Sequence, residues 1–370
     1  MAHVVEINRV DALEPYRLLW TLLLGSTRGA SFFQSLDWLE AYWRHFGRAQ
    51  KLRVLIPYSG TTPIGIMPLT IVRKKTPMGR VRVLTYPFNH GASLRWASLC
   101  GPVGPDPTAT LMTIMRHLRT TRRDWDILDL PGTRANGHDR GRTRRAMQAA
   151  GFQTQIAAAQ ASLLVDTGGS WADYLARRTG RLRIDLRRCQ RRLATFADVR
   201  YVRYRPVGAA RGDGDPRWDL LDACARLGRS DSPSENTSPF GGAFFRQVHQ
   251  QAAKTGSLDL SLLTLGGRAI AFAYAYHHQG SVCVLQLGST PEFADETASP
   301  VLLADMLKDS FQRGDSTVDL GAARLPAARP WLTHMVKCYR CRHYRIGAAR
   351  VQLLRLAHWW QGRGSPSVQG

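Results

Sequence analysis

The sequence predicts a mixed α/β protein in which the same order of elements occurs twice. Each half contains a hairpin of two strands, then a helix, then a buried strand that ends with an Asp-Leu pair. The pair stands in DILDLPG (126–132) and in STVDLGA (316–322), in each case shortly before Gly. An ordered recurrence of this kind indicates an internal duplication. We therefore expect two halves, each a mixed sheet with helices packed on it.

The first half is assigned element by element from its periodicity and turn residues. Ser35 is a suitable N-cap for the second helix, and Tyr58-Ser59-Gly60-Thr61-Thr62 is a typical hairpin loop. Alternation and apolar runs predict the strands, and three-to-four-residue spacing predicts the helices. The expected helices are 13–24, 36–46, 107–120 and 140–150, and the expected strands are 52–57, 63–72, 81–86, 126–130, 153–156 and 161–165.

The second half repeats this plan after an Arg-rich segment. Its hairpin turns at Gly266-Gly267. The expected strands are 257–265, 268–278, 281–287 and 315–323, with helices at 244–253 and 299–313. We expect the domains to be 1–165 and 166–348, followed by an amphipathic tail at 349–370.

Composition excludes several classes of protein. Apolar residues make up 44% of the 370 residues and charged residues 21%, which is ordinary for a folded domain and excludes general disorder. The formal net charge is +23, and only six of the 51 basic residues are Lys. An Arg-rich chain of this charge favours anionic partners, although Arg-rich codon usage is an alternative source of the bias.

The sequence predicts a cytoplasmic protein. Six cysteines are scattered without a regular spacing, which is typical of a reducing compartment. The N-terminal residues lack the charged and apolar regions of a secretory signal. The apolar run at 18–24 is far too short to cross a membrane, so no transmembrane segment is expected.

The segment 177–192 is the strongest charge cluster, with eight Arg in sixteen positions. Its apolar residues fall at i, i+4, i+7 and i+11, which predicts a helix with one docked stripe. The stripe consists of Leu182, Leu186, Cys189 and Leu193. The other faces carry guanidinium groups that suit CoA phosphates, tRNA or acidic lipid, unless they are only a solvated surface. The candidate partner-binding residues are Arg187, Arg188, Arg191 and Arg192.

The tail also has an apolar stripe with arginines beside it. Ala349, Leu353, Leu356 and Trp360 share one side of a predicted helix. This stripe either docks on the protein's own domain or lies on a bilayer surface. An anionic membrane surface is thus a further candidate partner, which would place the protein at the inner face of the cell membrane.

Several segments together resemble a known family. They are FFQSLDWLEAYWRHFG (32–47), PIGIMPL (63–69), the Arg-rich YLARRTGRLRIDLRRCQRRL (174–193), GGRAIAFAYAYHHQG (266–280) and DLGAARLPAARPW (319–331). In order and spacing they resemble the CelD/BcsL-type acetyltransferases of the GNAT superfamily, which are related to the FemAB transferases. The likeness covers roughly residues 30–346 and implies two GNAT-like halves in tandem.

The resemblance implies transfer of an acyl group from acyl-CoA, such as acetyl-CoA, to an amine or hydroxyl of a cell-envelope or exopolysaccharide precursor. It places the cofactor pyrophosphate at the N-terminus of the helix near 299, where unpaired amides and the helix dipole favour anions. Ser299 is then the N-cap and Pro300 the first helical residue. The expected amide donors are Val301, Leu302 and Leu303.

The chain departs from the family pattern at two places. Val301 stands where relatives commonly have Gly, and its side chain could crowd the phosphate. The position that best matches a family Lys is Ala328, so Arg329 is the nearest available cation. If that Lys binds substrate or stabilises developing charge in relatives, its absence would affect catalysis by this chain.

Acyl transfer requires a group that accepts the proton of the acceptor. Asp319 is the first candidate base, with the fixing of the following turn as its alternative role. His334 and Lys337 follow Trp331 and are candidates for proton transfer. Glu292 is a weaker alternative base. No metal site is expected, because the spacing of Cys338 and Cys341 lacks a second ligand pair.

Two other functions remain open. An aminoacyl-tRNA-dependent transferase of the FemAB type would use the Arg-rich helix for tRNA phosphates, and nucleic acid is not expected otherwise. A catalytically silent GNAT-like protein could instead bind within a polysaccharide synthase complex at the membrane.

Overall fold

The computed structural model describes residues 2–88, 100–134, 139–196, 198–228, 242–293, 297–322 and 326–363. The chain forms two units. Unit 1 comprises residues 1–160 and 337–370, and unit 2 comprises residues 161–336. Our division into 1–165, 166–348 and 349–370 stays a prediction about domains. The Gly-, Ser- and Pro-rich segment 229–241 lies outside the described residues.

Unit 1 has a mixed sheet of order β1-β2-β4-β5-β6-β13, and among its described residues β5 and β6 pair in parallel while the other neighbours pair antiparallel. Helices α1 and α2 pack on β2, while α3 and α4 cover β4 to β6. The elements are β1 Ala2–Ile7, α1 Arg17–Ser26, α2 Leu36–Phe46, β2 Lys51–Ser59, β3 Thr62–Pro63, β4 Met67–Thr76, β5 Gly79–Thr85, α3 Pro107–Thr120, β6 Ile127–Arg134, α4 Arg142–Ala149, β13 His334–Tyr344 and α10 Ala349–Arg363.

Local sequence signals explain where the helices of unit 1 begin. The Ser35 hydroxyl accepts the Trp38 amide at 3.1 Å, which confirms its predicted role as the N-cap of α2. Asp106 caps α3 by accepting the amides of Thr108 and Ala109 at 2.9 Å each, and Pro107 occupies the first helical position. These caps satisfy amides that have no partner within the helix.

Unit 2 has a mixed sheet of order β7-β12-β11-β10-β9-β8; in the part that the structure describes, β11 and β12 pair in parallel and the other neighbours pair antiparallel. Helices α5, α6 and α9 share one core with the sheet. The elements are β7 Gln155–Asp166, α5 Trp171–Ala176, α6 Gly180–Ala194, β8 Val199–Tyr204, α7 Trp218–Leu227, α8 Ala243–Lys254, β9 Leu258–Leu265, β10 Arg268–His278, β11 Ser281–Ser289, α9 Ala298–Arg313 and β12 Thr317–Ala322.

The repeated order of elements is present, but one strand of each half is exchanged. The predicted strands 153–156 and 161–165 form one strand, β7, and its residues 162–166 pair with β12 instead of completing the first half. Conversely, β13 follows β12 in the chain and pairs with β6 through residues 338–344. Hydrophobic alternation identifies a strand but does not specify its partner, so the sequence did not reveal this exchange.

The last helix docks through a face other than the apolar stripe of Ala349, Leu353, Leu356 and Trp360. Val351 and Leu354 of α10 are buried against Tyr344 and neighbouring residues of the sheet of unit 1. Leu353 and Leu356, from the predicted stripe, are 53% and 55% exposed. The side chain of Trp360 lies outside the described residues. Among the described residues, every helix is too short or too polar to cross a bilayer.

Candidate functional site

The parallel strands β11 and β12 part near their carboxyl ends. They pair only from Ser281 with Thr317 to Cys283 with Asp319, although β11 continues to Ser289. Within the described residues no strand pairing fills the space beside the later part of β11. Residues 285–289 of β11 are all partly exposed, whereas the middle of the adjacent β10 is buried. Ligands of α/β sheets bind in such an opening at the carboxyl ends of the strands.

A β-bulge lies beside this opening. Tyr274 pairs with Gln286 and Ala275 with Val284, so Leu285 is an extra residue of β11. A bulge locally interrupts the ladder and commonly lies next to an active site. Gly288 is required nearby because a Cβ there would lie 2.3 Å from a ring carbon of Phe272. This part of β11 therefore presents its backbone close to the opening.

The start of α9 follows β11 and differs by one residue from the prediction. Thr297 is the N-cap and Ala298 the first helical residue, so Ser299 is not the cap and Pro300 is the third helical residue. The Ser299 hydroxyl instead donates to the Ser289 hydroxyl at 3.3 Å. Ser-Pro is a common helix start, so the sequence favoured Ser299 as the cap over the nearby Thr297, which has similar chemistry.

This shift changes which amides are available to an anion. In a helix that begins at Ala298, the amides from Val301 onward bond to carbonyls four residues earlier. The available amides are therefore those of Ala298 and Ser299, in place of Val301, Leu302 and Leu303. The side chains of these last three residues are buried in the core, so Val301 does not crowd the helix N-terminus. The backbone present there fits an anionic group.

Asp319 lies at the point where β11 and β12 part. Its side chain is buried, and one carboxylate oxygen accepts the Gly321 amide at 2.9 Å. Gly321 has a φ of +88°, which only Gly adopts without strain. The turn-fixing role is thus present, and the role as a base stays a prediction.

Glu292 and Arg329 belong to the same end of the sheet. Glu292 is exposed in a short helical turn, Pro291–Phe293, that follows β11. Arg329 is exposed in a second turn, Pro326–Trp331, that follows β12. Ala328 is fully buried in the core of unit 2, so position 328 of this chain is not open to a cation. Among the described residues, Arg329 is a candidate cation at this edge.

His334 and Lys337 are not brought to this opening. His334 Nδ1 lies 3.2 Å from a carboxylate oxygen of Asp166, which pairs with Thr317 at the opposite, N-terminal end of β12. Lys337 is exposed and belongs to unit 1. Their nearness to Trp331 in sequence is misleading because the Thr333 amide bonds to Leu164 and so returns the chain to β7.

The sequence analysis missed Asp305, which lies within α9. Burial raises the pKa of this carboxyl to about 6, although Lys308 opposes the shift. Carboxyl groups that titrate near neutral pH are common at functional sites. Its sequence context gave no signal, because an acidic residue in a helix is ordinary.

We expect Asp305→Asn to stabilise the protein in a pH-dependent manner. The folded-state pKa lies above the usual value of 3.8, so ionisation disfavours the folded state as the pH rises through this interval. The variant should gain about 1–2 kcal/mol at pH above about 7 and almost nothing near pH 4. Urea unfolding at both pH values measures this difference. Asp222→Asn, at a side chain of α7 that is 55% exposed, is the control. An equal gain at both pH values would contradict the assignment.

The Arg-rich segment forms the helix that its pattern predicts. The stripe of α6 is buried, as the sequence analysis proposed, and consists of Leu182, Leu186, Cys189 and Leu193. The four arginines Arg187, Arg188, Arg191 and Arg192 are exposed. Arg188 lies 3.4 Å from Asp185, which is the one acidic residue of this helix. The face is strongly positive, and its use by an anionic partner stays a prediction.

The described residues contain no group of three or more His, Cys, Asp or Glu side chains placed to hold a metal ion. Cys338 and Cys341 are both buried in β13.

Comparisons with known proteins agree with this geometry. Residues 180–329, from α6 to the turn after β12, match a family model described as an acetyltransferase (GNAT) domain. No curated protein matches the chain significantly. Among solved structures, FemX superposes with a TM-score of 0.60 at 11% identity, covering 95% of this chain and 99% of its own. A conserved protein of unknown function from Bacteroides thetaiotaomicron gives 0.52 at 11% identity, covering 93% and 100%.

At these identities the structural likeness concerns the fold alone. A tandem GNAT protein from the clavulanic acid biosynthesis pathway also matches, with a TM-score of 0.47 at 10% identity over 92% of this chain and 98% of its own. The predicted mixed α/β fold class is confirmed, and a GNAT-like domain is matched by the second half. Residues 180–329 match a GNAT acetyltransferase domain, a kind of domain that uses acyl-CoA, and this match supports an acyltransferase.

Proposed function

We propose that unit 2 transfers an acyl group from acyl-CoA to an amine or hydroxyl of a cell-envelope or exopolysaccharide precursor. The observation that carries this proposal is the opening between β11 and β12 beside the start of α9, inside the segment that matches the acetyltransferase domain. The acceptor class rests on the resemblance to CelD/BcsL-type enzymes, and FemAB-like enzymes act by related group transfer. We infer acyl-CoA as the donor because GNAT acetyltransferase domains use acyl-CoA.

The residues that would hold acyl-CoA are backbone groups. The amides of Ala298 and Ser299 would bind the pyrophosphate, helped by the dipole of the sixteen-residue helix α9. The backbone of 285–289 in β11 would bond the amides of the extended pantetheine chain, as a strand edge bonds a peptide. Acyl-CoA supplies the activated thioester.

The chain's own groups would then assist the attack on the thioester carbonyl. We assign Asp319 as the base that accepts the proton of the attacking amine or hydroxyl, with Glu292 as the alternative. Backbone N–H groups at the Leu285 bulge would stabilise the developing negative charge on the carbonyl oxygen. The C–S bond then breaks, and the proton that Asp319 accepted passes to the departing thiolate, so that CoA leaves as the thiol. His334 and Lys337 have no part in this scheme because of their positions.

Titration calorimetry tests the acyl-CoA assignment. Acetyl-CoA and longer acyl-CoAs are titrated into the protein at about 150 mM salt, with 3′-dephospho-CoA as a comparison. Saturable micromolar binding is expected. No heat and no protection of the protein against thermal unfolding by any acyl-CoA would refute the proposal.

The positive face of α6 favours a second candidate, a transferase that uses aminoacyl-tRNA. Changing Arg187, Arg188, Arg191 and Arg192 together to Gln distinguishes the two. If tRNA is the donor, the variant should bind tRNA at least about tenfold more weakly, with a shallower salt dependence. If acyl-CoA is the donor, wild-type affinity for acetyl-CoA should fall only modestly with salt. A variant unchanged in both assays assigns the four arginines to solvated surface.

The third alternative, a silent binding protein within a polysaccharide synthase complex, predicts acyl-CoA binding without turnover. Release of free CoA thiol in the presence of an extract of envelope precursors separates it from an enzyme. The role of an anionic membrane surface as a partner is a separate question.

A further inference from the structure

We propose that α10 binds the surface of an anionic phospholipid bilayer through an outer apolar stripe, defined here as Ile346, Leu353 and Leu356. This proposal concerns unit 1 and does not depend on acyl transfer. Its basis is a helix that is apolar on two opposite sides, one packed on the sheet of unit 1 and the other exposed among the described residues.

The two sides of α10 separate clearly. Val351 and Leu354 are 0% and 5% exposed, and they pack with Tyr344, Ile127 and other residues of the sheet of unit 1. At 100° per residue, Leu353 and Leu356 lie together on the side opposite to Val351 and Leu354. They are more than half exposed, and Ile346, in the turn before the helix, is 61% exposed.

The surroundings of the stripe are basic. No acidic residue follows Asp319 in the sequence, while nine Lys and Arg residues do. Arg345 and Arg350 are exposed beside the stripe, and Arg350 lies 3.8 Å from its nearest carboxylate, Asp126. The patch therefore combines apolar side chains with excess positive charge.

The sheet next to α10 adds to this charge. On β13, Arg340 and Arg342 share one carboxylate oxygen of Asp129, at 3.1 and 3.3 Å. Burial lowers the pKa of Lys74, which lies near the same three groups. Three cations thus lie near the single carboxylate of Asp129. Of these, Arg342 is two residues before Tyr344, which packs against α10.

An anionic bilayer matches both features at once. Its hydrocarbon boundary accepts the leucines, and its phosphates accept the arginines, which is the two-signal arrangement that stable peripheral binding requires. A second copy of this chain fits less well, because a two-fold interface would place each basic patch against itself. The fifteen residues of α10 suffice to lie on a bilayer but not to span one.

Vesicle co-sedimentation of the full chain tests the proposal. The probes are vesicles of phosphatidylcholine alone and vesicles that also contain phosphatidylglycerol. Wild type should bind the anionic vesicles, bind neutral vesicles at least about tenfold more weakly, and release from the anionic ones at high salt. Leu353→Asp with Leu356→Asp should lose at least about tenfold in affinity for the anionic vesicles.

A matched control separates membrane contact from a general effect of added charge. Leu18 and Leu22 of α1 are also exposed, at 71% and 63%, in unit 1. Leu18→Asp with Leu22→Asp adds the same charge and should leave vesicle binding within about threefold of wild type. Arg345→Gln with Arg350→Gln should weaken binding to anionic vesicles and reduce its salt dependence. Circular dichroism confirms that each variant is folded.

Three results would overturn the proposal. The first is no binding of wild type to anionic vesicles. The second is an equal loss in the Leu353/Leu356 and Leu18/Leu22 variants. The third is a wild-type dimer in light scattering that the Leu353/Leu356 variant converts to a monomer, because the stripe would then be an interface between copies.

Discussion

Replacing Asp259 with asparagine should lower the unfolding free energy by about 3–5 kcal/mol, because it breaks a buried cluster of charges in unit 2. The side chains of Asp259 and Arg203 are each 1% exposed, and two guanidinium nitrogens of Arg203 donate to the carboxylate at 2.9 and 2.7 Å. Arg205 donates to the same carboxylate at 2.7 Å. Without the negative charge of Asp259, the positive charges of the buried Arg203 and Arg205 would be incompletely balanced.

Urea unfolding followed by circular dichroism measures this loss. Asp219→Asn is the control, since Asp219 also pairs with an arginine, Arg217 at 2.7 Å, but on the surface. Its removal should cost less than about 1 kcal/mol. Equal losses in the two variants would show that the buried cluster does not hold unit 2 together.

The same cluster should make stability sensitive to acid. Burial raises the pKa of Asp259, but hydrogen bonds and charge from Arg203 and Arg205 outweigh it and hold the pKa below its usual value. A depressed carboxyl pKa contributes stability above the unfolded-state pKa, and this stability is lost as the pH falls through the folded-state pKa. Wild type should therefore lose this contribution below about pH 4, and Asp259→Asn should lack it at every pH.

Asp319→Asn should lower the turnover of acyl transfer by at least about 100-fold while leaving acetyl-CoA affinity nearly unchanged. The amide oxygen of asparagine can still accept the Gly321 amide, so the turn after β12 should survive. The substitution thus removes the proposed base and preserves its structural role. Release of CoA thiol with an acceptor that wild type acylates gives the turnover, and calorimetry gives the affinity.

Glu292→Gln is the matched comparison, because it neutralises the alternative base at the same end of the sheet. If Glu292→Gln abolishes turnover and Asp319→Asn does not, the two roles must be exchanged. His334→Gln should retain wild-type turnover, since His334 lies beside Asp166 at the other end of β12.

Patterns within one element could be read from the sequence. The helices 36–46 and 107–120 and the strand 268–278 have the predicted bounds, and α6 buries the predicted stripe. Caps, turns and periodicity act over a few residues, so a single sequence contains them. The opening between β11 and β12 follows from the same elements only once the parallel pairing is known.

Contacts between residues that are distant in the sequence could not be predicted from it. Asp259 and Arg203 are 56 positions apart, and nothing in their local sequence marks them as partners. The exchange of β7 and β13 depends on which neighbouring strand each one pairs with. Hydrophobic alternation along a strand does not specify that partner. In α10 two apolar stripes compete for the core, and the periodicity of the sequence drew attention to the one that is exposed. Tertiary contacts decide such choices.

The most direct test of the central claim is a titration of acetyl-CoA into Pro300→Asp and Pro300→Asn variants. Position 300 is the third residue of α9, where a carboxylate is favourable for the helix but repels a bound pyrophosphate. We predict at least about tenfold weaker binding for Pro300→Asp and a change within about threefold for the uncharged Pro300→Asn. Wild-type affinity in Pro300→Asp would contradict a cofactor site at the start of α9.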